Sequence, residues 1–386
     1  MPSRPAADLK RRTRPSSSAA PATPYDLSLL FPVLFLVGIG MVMVYSASSA
    51  LALKKFGSSY FFLKKQALFA LVGLVGLVVA RHFPYRLWRS LAYPAVALAF
   101  ALLVCVLVSS WGHTAGGATR WLRVAGFTFQ PSELARIALI VYLAYSMSKK
   151  QARLGEFAIG FVPHIIVLAM LLVPMMLQPD FGSAVILTLL TGIMMFAGGV
   201  PLRHLLLSAL ALLPAGAYLL VSAEYRIRRL MSFLNPWDYP TAEGYQTIHS
   251  LMAFGSGGLW GSGIGKSLQK LFYLPEPHTD FIFSVIGEEF GLLGVALTVV
   301  LYGLIIWRGI AIARKTEDLF GALLCFGLTT ALALQVCINM GVTLGLLPTK
   351  GLTLPFLSYG GTSLVLNMAA IGIIMNIGTV TWTRRR

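Results

Sequence analysis

The sequence predicts an all-α polytopic membrane protein with ten transmembrane helices. Apolar residues make up 57% of its 386 residues and only 12% are charged, about half the share usual in soluble domains. A soluble chain of this size could not cover its outside with so few polar side chains. The apolar residues also lie in long unbroken blocks, whereas an outer-membrane barrel alternates polar and apolar over short segments. The same abundance of apolar side chains excludes disorder as a whole-chain description. Cys105, Cys325 and Cys337 each sit in an apolar run, so a disulfide scaffold is excluded as well.

About 20 apolar residues span a bilayer as a helix. That ruler marks segments 27–51, 66–81, 88–109, 131–148, 159–177, 182–199, 203–222, 282–307, 319–343 and 357–380. The fifth and sixth are separated only by a Gln178-Pro179-Asp180 turn. Residues 1–25 are Pro/Ser/Ala-rich and carry Lys10, Arg11, Arg12 and Arg14; they read as a disordered basic cytoplasmic tail. Residues 26–383 form the membrane domain. A cleaved signal peptide is not expected, because the first apolar block exceeds an h-region.

An even number of spans puts both termini on one side. Making that side cytoplasmic gives it the larger share of Lys and Arg, which explains the +17 formal charge better than nucleic acid does. The exceptions are Lys54, Lys55, Lys64, Lys65, Arg120, Arg123, Arg226, Arg228, Arg229, Lys266, Lys270 and Lys350, outside cations placed to meet an anion. Two outside connections are long, 110–130 and the large extracytoplasmic loop 223–281 between the seventh and eighth spans. Long ordered loops are usually functional. No internal repeat is evident, which argues against a transporter built of duplicated halves.

Gly263-Ile264-Gly265-Lys266-Ser267 looks like a phosphate loop, but the pattern needs Gly where Trp260 stands, so the glycines read as turn residues. Gln130-Pro131-Ser132-Glu133-Leu134-Ala135-Arg136 opens the fourth span, with Pro131 in the first helical turn and Glu133 and Arg136 on one face. That pair either fixes helix packing or walls a polar cavity. Asp180 is open to two readings, a cap on the sixth span or a group in the chemistry. So is Asp280, which lies beside His278 and Thr279 just before the eighth span, with Glu288 and Glu289 two turns on; it is either a cap or a general base. His278 has no second His or Cys at metal-ligand spacing. Residues 348–363 hold two prolines and paired glycines. Such broken backbone at membrane depth must be buried or line a wet cavity, and Lys350 within it, like Arg120, is a natural partner for a phosphate.

Pro275-Glu276-Pro277-His278-Thr279-Asp280-Phe281, Arg229 with Asn235-Pro236-Trp237, Gln130-Pro131-Ser132-Glu133-Leu134 and the 348–363 segment together resemble the SEDS family of shape, elongation, division and sporulation proteins. The resemblance covers the whole chain after the tail. Pro348-Thr349-Lys350-Gly351-Leu352-Thr353-Leu354-Pro355 is similar to the cell-division branch, since the elongation branch usually lacks the Thr-Lys pair. The resemblance implies a peptidoglycan glycosyltransferase that polymerises lipid II on the outer face of the bacterial cytoplasmic membrane at the septum. It also implies a class B penicillin-binding protein as transpeptidase partner, together with other divisome proteins. The family's essential aspartate falls on Asp280, and its polar cavity positions on Arg120, Glu133, Asp180, His278, Lys350 and Ser358; Thr279 and Arg136 join them as candidate substrate contacts. Arg136 stands where the family usually has Lys, which keeps the charge but loses a titratable donor. Thr362 replaces a commoner Ser.

The expected chemistry needs one base for the acceptor hydroxyl and positive charge for the leaving diphosphate. Glycosidases instead need two carboxylates, because their leaving alkoxide must be protonated. Asp280 serves as base. Arg120, Lys350 or a divalent cation, Mg or Mn, serves the diphosphate. The competing expectations are a lipid II flippase and a non-catalytic scaffold for the penicillin-binding protein.

Overall fold

The computed structural model describes residues 25–109, 112–115, 118–124, 127–221, 224–242, 244–270 and 274–384. The basic tail expected at the start lies almost wholly outside them. Helices occupy all ten apolar segments: α1 (Leu27–Phe56), α2 (Phe61–His82), α3 (Ala92–Val108), α4 (Pro131–Lys149), α5 (Val162–Leu177), α6 (Phe181–Gly198), α7 (Leu202–Val221), α10 (Ile282–Lys315), α11 (Leu319–Thr343) and α12 (Gly361–Arg384). Among the described residues, seven helices are long and apolar enough to cross a membrane. The apolar stretches Ala92–Val108 and Leu202–Ala211 are shorter, and α4 carries the buried Glu133 and Arg136.

Two expected loops prove to be built elements. The 110–130 connection is a three-stranded antiparallel sheet, β1 (Gly112–Ala115), β2 (Ala118–Val124) and β3 (Phe127–Phe129), with Trp121 opposite His113 and Arg123 opposite Thr128. Its strands are too short to register against the helical span ruler. The long 223–281 segment contains α8 (Glu224–Leu234) and α9 (Tyr245–Gly257). In α8, Ile227, Leu230, Met231 and Leu234 fall at helical spacing, an apolar stripe on a basic helix too short to span.

Ion pairs tie one end of the bundle together: Arg308 near the end of α10 meets Asp26 before α1 at 2.8 Å, and Arg89 meets Asp318 at 2.5 Å. Asp318 also caps α11, accepting from the Gly321 amide at 3.1 Å.

Toward the other end α10 is broken at Gly291 (φ 64°, ψ −158°). There the 258–263 loop takes over the helical ladder. Ser262 and Gly263 amides donate to the Glu288 and Glu289 carbonyls at 2.9 and 3.0 Å, while the Leu292 amide donates to Gly258 O at 2.9 Å. A Cβ at position 291 would lie 2.4 Å from the Gly261 nitrogen, so only glycine fits both the dihedral and the contact.

Side chains reinforce the join. Glu288 accepts from the Ser267 hydroxyl and from the Leu268 amide at 2.8 Å, so the phosphate-loop lookalike serves a buried carboxylate. Lys270 pairs with Glu289 at 2.6 Å and donates to Ser46 of α1 at 2.9 Å. Glu288 and Glu289 therefore belong to this join rather than to the polar cluster around Asp280, and Lys270 is neutralised within the protein. Lys270→Ala, which leaves Glu289 buried with the Ser46 hydroxyl but without its counter-ion, should cost about 3 kcal/mol of stability, read as a lowered unfolding midpoint in detergent; an unchanged midpoint would mean the pair contributes nothing.

Candidate active site

Residues 348–360 run without regular structure between α11 and α12, which opens at Gly361, and are held from several sides. The Asn339 amide of α11 donates to Leu352 O at 2.5 Å, and Gln335, one turn earlier, donates to Thr353 O at 2.9 Å. Tyr302 of α10 donates to Pro355 O, and Gln66 of α2 to Ser358 O at 3.2 Å. Ser358 turns its own hydroxyl inward to accept from the Leu354 amide at 2.8 Å. Each bond satisfies a main-chain group that regular structure would otherwise pair.

Asp280 meets this segment directly. It does not cap α10, whose N-terminal residue is preceded by Phe281 without a side-chain cap bond. Its carboxylate lies beside Gly351: a Cβ there would sit 3.1 Å from Asp280 Oδ2, so the absence of a side chain at 351 is what lets the acid approach. Asn339 donates to Asp280 O as well, at 2.9 Å. Burial pushes the Asp280 carboxyl up to about 7; nearby Glu276 adds to the rise and Arg120 opposes it.

The two expected phosphate partners converge on the turn between α5 and α6. Arg120, on β2, donates to Pro179 O at 2.5 Å, and Lys350 holds its ammonium 5.9 Å from the centre of the Phe181 ring. Between those contacts, Asp180 caps α6, with Oδ1 accepting from the Ser183 amide at 3.4 Å while its buried Oδ2 has no partner.

The remaining candidates divide. Glu133 and Arg136 form a buried pair at 2.6 Å, and Arg136 also donates to Gln335 and to Asn367 at 3.2 Å. Through Gln335 this pair is connected to Thr353. His278 packs its ring 4.5 Å from that of Phe62 and 5.7 Å from that of Tyr359. Burial, with Lys55 adding, lowers its pKa to about 4, so it is neutral at neutral pH, and its carbonyl accepts from the Tyr359 amide at 2.9 Å. Thr279 turns away to Glu276 O at 3.1 Å. Among the described residues no group of three or more His, Cys, Asp or Glu is arranged to hold a metal ion. Beside Thr362, an apolar cavity of about 370 Å³ lies between α2, β3 and α12, lined by Phe69, Val72, Phe129 and Val365 among others.

Sequence reasoning missed Gln335, Asn339 and Gln66. A signal was present: Gln335, Asn339 and Thr343 recur every fourth residue in an apolar span, and intramembrane polar groups are functional candidates by default.

This architecture, a helical bundle with a broken segment before its last helix that meets a buried acid, has known counterparts. The family described as cell cycle protein (FtsW/RodA/SpoVE) matches residues 27–382, and the chain belongs to that family. Among its relatives, the probable peptidoglycan glycosyltransferase FtsW of Geobacter sp. (strain M18) is 46% identical, covering 92% of this chain and 97% of the relative. Stage V sporulation protein E of Bacillus subtilis is 42% identical, covering 91% and 96%. Among solved structures, a chain of a peptidoglycan synthase complex that coordinates polymerization and crosslinking matches with a TM-score of 0.77 at 30% identity, over 93% of this chain and 98% of that one. The rod shape determining protein RodA of Thermus thermophilus matches with a TM-score of 0.68 at 31% identity, over 92% and 96%.

Because the Asp280 shift is upward, the carboxyl is neutral below a midpoint of about 7 and anionic above it. Infrared difference spectra across that range should show a protonated-carboxyl band vanishing near pH 7 that Asp280→Asn lacks. A spectrum identical in the variant would mean that Asp280 titrates elsewhere.

Proposed function

We propose that the protein is a peptidoglycan glycosyltransferase that polymerises lipid II, the undecaprenyl-diphosphate disaccharide-pentapeptide, into β-1,4-linked strands. The observation that carries this reading is the Asp280 carboxylate, which caps no helix, lies against Gly351 next in the chain to Lys350, and feels the charge of Arg120. The names of the relatives support the substrate class. A base with a pKa of about 7 is well matched to proton abstraction at neutral pH.

In the reaction, the acceptor 4-hydroxyl oxygen attacks the anomeric carbon of the donor sugar while Asp280 takes its proton. The bond from that carbon to the diphosphate breaks, and the lipid diphosphate leaves as an anion. The donor linkage is α and the product β, so one displacement inverts the centre. Arg120 and Lys350, on either side of the α5–α6 turn, receive the departing charge. The apolar cavity beside Thr362, open toward the exposed Leu68 and Val72, supports a path for the lipid tail.

The same reading has the chain cross the cytoplasmic membrane ten times with both ends inside, which places Asp26, Arg89, Arg308 and Asp318 at the cytoplasmic end and Asp280 outside. It also gives the protein a role at the division septum beside a class B penicillin-binding protein. The solved synthase complex supports that partnership, and the relatives named FtsW support the division role.

Purified protein with its transpeptidase in liposomes should polymerise labelled lipid II. Asp280→Ala should abolish the product, and the wild-type rate should climb about tenfold per pH unit below pH 7 and level off above it. Lipid scrambling without polymer would support the flippase instead, and normal division by Asp280→Ala would support the scaffold. In the same assay Lys350→Ala should lower turnover about 100-fold while the partner stays bound; an unchanged rate removes Lys350 from the site.

A further inference from the structure

Asn339 belongs to none of the candidate groups above, yet it is the point where the two halves of the site are joined. It is 1% exposed, on α11, and one amide nitrogen donates both to Asp280 O at 2.9 Å and to Leu352 O at 2.5 Å. The first carbonyl belongs to the acid, and the second lies two residues beyond Lys350. The acid and the cation are carried by segments far apart in sequence that approach the same place, and this side chain binds both backbones. Gln335, one helical turn away, secures the next carbonyl of the same segment, at Thr353, so α11 presents a two-rung polar edge to it.

We propose that Asn339 is a positioning residue that fixes the Asp280 carboxylate against Gly351 and at a set separation from Lys350. It touches neither reacting sugar. Two donated bonds from a rigid helix hold the main chain on both sides of the Asp280–Gly351 contact, so losing them lets the acid swing from the acceptor hydroxyl without disturbing distant substrate contacts. A displacement of about 1 Å at such a group costs about 100-fold in rate. This inference rests on the reading of Asp280 as the base.

The test uses full-length protein with its partner in liposomes and labelled lipid II. Asn339→Leu is close in size and removes both donors; Asn339→Ser keeps a hydroxyl that satisfies one carbonyl at most. Asn339→Leu should lower kcat about 100-fold, leave KM within about threefold, and move the pH midpoint of the rate by about one unit as Asp280, Glu276 and Arg120 rearrange. Asn339→Ser should fall between it and wild type, and if Asn339→Leu does not fold, the serine variant decides alone. Wild-type kcat and midpoint would overturn the proposal, as would a loss that follows only the folded fraction while the midpoint stays put. Asp280→Ala, assayed alongside, separates the two ideas. If it is active, the base reading falls and takes the clamp with it; if it is dead while the Asn339 variants behave as wild type, only the clamp falls.

Discussion

An acid and a backbone share one narrow space in this protein: the carboxylate of Asp280 and the bare α-carbon of Gly351. That contact joins residues 274–281, just before α10, to the broken segment before α12, and neither stretch has regular structure to define its course. What defines it is polar side chains on the neighbouring helices. Asn339 and Gln335 hold it from α11, Tyr302 from α10 and Gln66 from α2. Each of these bonds matters, because a buried carbonyl left unpaired is costly.

Buried polar atoms follow two patterns. Some charges neutralise one another: Glu133 with Arg136, and one oxygen of Glu289 with Lys270. Other buried atoms have no partner within the protein, among them Asp180 Oδ2, Arg120 Nε, His278 Nδ1 and Asn339 Oδ1 near Asp280, and His204 Nδ1 and the second oxygen of Glu289 elsewhere. The guanidinium of the Glu133–Arg136 pair also reaches Gln335 and, through it, the main chain at Thr353. With its bond to Asn367 this network ties α4 to α11 and α12.

Much of the fold was legible in the sequence because bilayer thickness imposes a length on every span. All ten apolar segments are helices. The small sheet at 112–129 and the helices α8 and α9 were not legible, since a ruler set for 20 apolar residues passes over elements shorter than that. Within the site, Arg120 and Lys350 could be picked out as cations that run against the expected charge bias, and Asp280 from its polar cluster with His278 and Thr279. Asp180 resolved into a cap and Asp280 did not, a distinction made by backbone geometry rather than by residue type. Glu288 and Glu289 look like part of the same acidic cluster in sequence, yet helical rotation turns them toward Ser267 and Lys270. Asn339 escaped notice because its role is toward main-chain carbonyls, which sequence does not display.

The interruption at Gly291 bears on how the protein is made. A continuous helix can enter the bilayer as soon as it leaves the ribosome, since it satisfies its own backbone. In α10 the Glu288 and Glu289 carbonyls and the Leu292 amide find their partners instead in Ser262, Gly263 and Gly258. The ladder at the break is complete only once that preceding stretch has come back alongside, so this end of the helix and the loop before it must close together.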